Sequence, residues 1–176
     1  MSKELNRADP DQDGITHINT HSKTHSPLGE ILSPSYEIGE PIHHPLLGHF
    51  RTVENAWCYL NTGGKRDKIR TMKPAAARYA ARLADKYSCD KFRDLILDLT
   101  LLKLRHKEEW WKEMAESELP FDHYFVQGKG KDKIAIRPGH AELFIGILEE
   151  VREITRGNKE HEFVRFRDMN FKKLEK

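Results

Sequence analysis

Glu54 lies in the run His49-Phe50-Arg51-Thr52-Val53-Glu54-Asn55-Ala56-Trp57-Cys58-Tyr59-Leu60. Thr52 is a good helix N-cap, and Val53, Ala56, Trp57 and Leu60 then recur at i, i+3, i+4 and i+7, the spacing of an amphipathic helix. Glu54 therefore falls at N2, where the positive end of the helix dipole favours an ionised carboxylate. An anion in that place suits the stabilisation of a developing cation. The dipole also favours first-turn acids with no catalytic duty, so the spacing alone leaves a structural reading open. Arg78 and Arg82 stand one turn apart on an alanine-rich segment and could hold a phosphate or only solvate an exposed face. Lys129 and Lys131 sit in Gln127-Gly128-Lys129-Gly130-Lys131, a flexible loop whose backbone amides could cradle an anion, although Walker spacing is missing. Asp122 precedes His123, and no serine or cysteine nucleophile is positioned to complete a triad with them.

The elements that must carry these groups follow from punctuation and periodicity. Residues 1–26 hold few large apolar groups and read as a mobile arm. Within it His17, His21 and His25 recur every four residues; on a helix they would share a face and could bind a metal, but Thr20, Ser22, Thr24 and Ser26 are poor helix formers. Residues 27–50 are punctuated by Pro and Gly and predict short strands or turns. Helices are expected from Thr52 to about Leu60, ending at Gly63-Gly64, and from Pro74 to Tyr87. Others are expected over Lys91–Arg105, with Asp90 as N-cap and hardly any polar face, over Lys107–Ser117, and over about His140–Arg156, closed by Gly157. Leu143, Phe144, Ile147, Leu148 and Val151 are the expected buried stripe of the last one. The charged tail, 158–176, offers Phe163, Val164, Phe166 and Phe171 for docking as an edge strand or short helix.

The 176 residues suit one domain with tails. A net charge of +2, with 33% charged and 38% hydrophobic residues, carries no polyanion-binding signal. Two cysteines, Cys58 and Cys89, make neither a disulfide framework nor a cysteine zinc site. No run of about 18 to 20 apolar residues occurs, so no membrane partner is expected and a cytoplasmic location is the default.

Over about residues 26–155 the order of segments resembles the NADAR (YbiA-like) family, associated with NAD and ADP-ribose metabolism. Ser26-Pro27-Leu28-Gly29-Glu30-Ile31-Leu32-Ser33 is similar to the family's opening, and Phe50-Arg51-Thr52-Val53-Glu54-Asn55-Ala56-Trp57 to its Thr-Val-Glu helix. Lys73-Pro74-Ala75-Ala76-Ala77-Arg78, with Ala80-Ala81-Arg82, resembles its Pro-x-x-Ala-(Lys/Arg) helix. Asp122-His123-Tyr124-Phe125 with Gly128 resembles its Asp-x-x-Trp-Gly turn, and Leu148-Glu149-Glu150-Val151-Arg152-Glu153 its closing helix. Asn55 stands where a histidine is common, Phe92 where a tryptophan is typical, and Phe125-Val126 replaces the Trp-Gly pair.

The resemblance implies a mainly α fold: a compact, multi-helical single domain over 27–157 with a few short β-strands, needing no cofactor or metal. It implies an N-glycosidase that hydrolyses the ribose C1′–N bond of ADP-ribosylated nucleobases or phosphoribosyl compounds. Glu54 then stabilises the charged sugar, and Asp122 activates water or protonates the leaving nitrogen. Arg78, Arg82, Lys129 and Lys131 hold phosphates, Phe92, Tyr124 or Phe125 stacks on the base, and Ser33 completes the substrate-binding set. Two further readings remain: a non-catalytic ADP-ribose or nucleotide-binding module, and a small helical protein whose Trp110-Trp111 face docks a partner.

Overall fold

The apolar run that leaves no polar face becomes the central helix α4 (Phe92–Leu104). Leu95, Ile96, Leu97, Leu99, Leu101 and Leu104 are each 2% exposed or less. Burying side chains of this size contributes roughly 1.5–3 kcal/mol apiece, which makes this helix the main source of cohesion. In the computed structural model, which describes residues 8–21, 23–165 and 169–175, four elements pack around α4. They are α2 (Val53–Asn61), α5 (Glu108–Glu116), α6 (Ala141–Thr155) and strand β2 (Ile42–His44). α1 (Pro27–Leu32) leans on α5, and α3 (Pro74–Arg82) lies along α2. In α6, Phe144, Ile147, Leu148 and Val151 face the core as the spacing required, whereas Leu143 is exposed. Gly157 ends that helix at φ +77°, the left-handed C′ geometry.

The expectation of a mainly α protein is corrected: the fold is mixed α/β, 43% helix and 15% strand. β2 pairs antiparallel with β3 (Gly48–Phe50), and β6 (Phe125–Gln127) with β7 (Ile134–Ile136). β1 (Ile18–Asn19) runs parallel to β5 (Phe121–Asp122), and β4 (Tyr87–Cys89) antiparallel to β8 (Phe171–Lys173). The physical reason is that the Pro- and Gly-punctuated stretches cannot propagate a helix, and their backbone groups pair instead, β2–β3 and β6–β7 as short hairpins and β1–β5 and β4–β8 across distant segments. The helix from Pro74 stops at Arg82 for a related reason: residues 87–89 pair with the chain's end. Asp90 caps no helix, because its carboxylate accepts from the backbone and side-chain N–H groups of Asn170.

Residues 8–26 do not behave as an arm where they are described. Asp13, itself 6% exposed, accepts hydrogen bonds from the N–H of Asn19 (2.8 Å), the N–H of His25 (2.6 Å) and the hydroxyl of Thr24 (2.6 Å). Asn19 in turn accepts from the N–H groups of His21 and Tyr124. This segment is held by buried polar bonds, so counting its apolar residues underestimates its order. The expectation for residues 1–7, and for Ser22 and Phe166, lies outside the described residues. His17, His21 and His25 do not share a helix face: His17 bonds Tyr124, His21 packs on His123, and His25 gives its N–H to Asp13. No described helix is long and apolar enough to cross a membrane.

Candidate functional site

The start of α2 is built as its sequence required. Thr52 is extended (φ −146°, ψ 168°), and its hydroxyl oxygen accepts from the Asn55 N–H at 3.2 Å. The same hydroxyl donates to Asn55 Oδ1 at 2.7 Å, and Asn55 Nδ2 donates to the carbonyls of Ile69 (2.6 Å) and Met72 (2.9 Å). Asn55 is thus a clamp joining α2 to the segment that leads into α3. The Glu54 N–H donates to the Pro34 carbonyl (2.8 Å), which brings the loop 33–35 against the helix start.

With its first-turn amides engaged, α2 presents Glu54, Trp57 and Cys58 on one face, the floor of a cleft of about 450 Å³. Arg78 and Arg82 of α3 form one wall; Ser33, Pro34 and Ser35 form another; His21, His123, Phe125, Pro138 and His140 complete it. Both Glu54 oxygens accept from Arg78 Nη1, at 2.6 and 2.7 Å, and the glutamate side chain is 15% exposed against 50% for the arginine. Burial raises the Glu54 pKa above its ordinary value, and the hydrogen bond and charge of Arg78 oppose that rise. Arg82 has no ion-pair partner among the described residues. Burial, with Glu54 nearby, pushes the Cys58 thiol up to about 12, so it is protonated at neutral pH and no nucleophile there.

Trp57 meets Phe92 edge-on (4.7 Å between centroids) and His140 at 5.0 Å. His123 is 2% exposed; its ring lies 5.2 Å from His21, 5.5 Å from His140 and 5.0 Å from Phe144. Burial first, then the neighbouring histidines, hold its pKa down to about 3, so the ring is neutral. Burial lowers the pKa of His140 as well.

Of the expected site residues, Glu54, Ser33, Arg78, Arg82 and Phe125 meet in this cleft. Asp122 does not line it. That carboxylate is buried under Arg137, which donates through Nε (2.8 Å) and Nη2 (2.6 Å), and it also takes the His123 N–H (2.7 Å). A doubly bridged carboxylate is a structural strut rather than a free acid or base. Tyr124 is fully buried with its hydroxyl 2.7 Å from His17 Nε2. Phe92 backs Trp57 without reaching the cleft, and Lys129 is exposed outside its lining. The Lys131 side chain lies outside the described residues. Trp57 was legible in principle, being one turn from Glu54; His123 and His140 come from distant segments with no local signal. The histidines pack ring against ring, and among the described residues no group of three or more His, Cys, Asp or Glu side chains is arranged to hold a metal ion.

Beneath the cleft, Lys103 is fully buried and donates to the Ser33 carbonyl at 2.9 Å. Burial lowers its pKa to about 7. Compared with known proteins, the chain matches no family model, no curated protein and no solved structure.

Proposed function

We propose that the protein is an N-glycosidase of the NADAR type, hydrolysing the ribose C1′–N bond of ADP-ribosylated nucleobases or related phosphoribosyl compounds. The observation that carries this reading is the sharing of one cleft by a partly buried glutamate, two arginines and the aromatic faces of Trp57 and Phe125. Breaking the C1′–N bond sends its electron pair to the departing nitrogen and leaves positive charge on the sugar, which the Glu54 carboxylate stabilises at close range. Water then bonds to C1′, its released proton passes through Glu54, and the nitrogen gains a proton. Arg82 and the outward N–H groups of Arg78 take the phosphate. A phosphate that draws on Arg78 loosens its pairing with Glu54, which frees the carboxylate oxygens to face the sugar while letting the carboxyl pKa rise. Asp122 has no part in this scheme.

A second reading is a nucleotide-binding module without turnover. The pairing of both Glu54 oxygens with Arg78, in a cleft lined by no other carboxylate among the described residues, favours it. Incubation with an ADP-ribosylated oligonucleotide separates the two. Release of free ADP-ribose supports hydrolysis; calorimetric binding of ADP-ribose with no release supports the module.

A further inference from the structure

We propose that His123 is the base-reading residue of the cleft, its unprotonated Nε2 accepting a hydrogen bond from an N–H on the edge of the ligand's base. The proposal deepens the N-glycosidase reading and rests on it. Thr20 Oγ1 lies 3.0 Å from the Asp122 carbonyl and 3.1 Å from His123 Nδ1. A carbonyl cannot donate, so the single hydroxyl proton of Thr20 goes to Asp122, and the contact with the ring is made by a proton on Nδ1. That assigns the tautomer: Nδ1 donates and Nε2 keeps its lone pair. The ring cannot turn away, because its backbone N–H is tied to Asp122 and its faces meet His21, His140 and Phe144. Nε2 meets no hydrogen-bond partner among the described residues, although the residue is almost wholly buried and borders the cleft. Nε2 is not sealed in the interior, since it is not among the fully buried, unpartnered side-chain atoms of the described residues; it opens on the cleft, where a ligand N–H can reach it. The depressed basicity of the ring, a consequence of burial and of its histidine neighbours, keeps the acceptor unprotonated through the physiological range. Trp57 and Phe125 give the base an apolar face, and Arg82 takes the phosphate, so the ligand class is a phosphorylated N-riboside whose base carries an N–H. Thr20 is a positioning residue in this arrangement.

Titration calorimetry with two nucleotides tests it: inosine 5′-monophosphate, whose base has one N–H, and 1-methylinosine 5′-monophosphate, which has none. Wild-type protein is expected to bind the first about tenfold more tightly. The preference should collapse in Thr20→Val, which keeps the ring but frees its tautomer, and in His123→Phe. A preference that persists in His123→Phe would mean that the methyl group only clashes, and would overturn the assignment. Equal binding of both nucleotides to wild type overturns the role of His123 and leaves the nucleotide reading standing. Failure of both nucleotides to bind overturns the nucleotide reading and the subsite with it. Nitrogen NMR of the imidazoles in unmodified protein needs no variant to fold: a protonated Nε2 on His123 refutes the assignment whatever the nucleotides do.

Discussion

Glu54 and Arg78 are a partly buried pair in which desolvation and charge pull the carboxyl pKa in opposite directions, with desolvation ahead. Replacing Arg78 by Gln removes the opposing cation, so the pKa rises further. The acid limb of the pH–rate profile, which needs Glu54 ionised, should move to higher pH in that variant; an unmoved limb would show that another group titrates there. Lys103 offers a stability test with a definite sign. Its pKa falls from 10.5 to about 7 on folding because no charge partner offsets its burial. Between those values the unfolded chain binds the extra proton, so the folded state gains relative stability as pH rises from about 7 towards 10.5 and loses it as pH falls through 7. At about 1.4 kcal/mol per pH unit the interval corresponds to roughly 5 kcal/mol. Urea unfolding should therefore find Lys103→Met more stable than wild type at pH 6, by a margin that shrinks towards pH 10. His123 acts in the acid range. With a folded pKa of about 3 against an ordinary 6.5, it contributes stability that is present above 6.5 and lost as pH falls towards 3.

The helices carry the legible part of the site. Thr52 as N-cap, Glu54 at N2 and Pro74 at the head of α3 all follow from local rules, and they bring Glu54, Arg78 and Arg82 to one cleft. Asp122 was misread because its partner, Arg137, lies beyond a hairpin that no periodicity announced. The parallel pairing of β1 with β5 joins segments about a hundred residues apart, so neither strand has a sequence signature of its own. One local constraint is sharp. A Cβ on Gly29 would run into the Asn19 carbonyl oxygen and approach Thr24 Oγ1 to 2.7 Å. Gly29→Ala should therefore cost about 1–3 kcal/mol, despite the better helix propensity of alanine, as read from chemical denaturation.

Both ends of the described chain bear on the body of the molecule, and one buried carboxylate holds residues 161–164, ahead of the β4–β8 pairing. Asp98, fully inaccessible on α4, meets His44 Nε2 (3.1 Å), His161 Nε2 (2.6 Å) and the Val164 N–H (3.0 Å). His44 Nδ1 accepts from the N–H groups of Leu46 and Leu47, so its Nε2 is the donor to Asp98. Asp98→Ala strands these donors and should cost about 3–5 kcal/mol, with residues 158–165 becoming sensitive to protease. A change under 1 kcal/mol would mean that the tail is held elsewhere. The central claim concerns the cleft that this framework supports. Its most direct test is the single-turnover release of ADP-ribose from an ADP-ribosylated oligonucleotide by wild-type protein and by Glu54→Gln. The account predicts measurable release by wild type and a fall of about 10²- to 10³-fold in the variant, with ADP-ribose affinity nearly unchanged. Equal rates for the two proteins would contradict it.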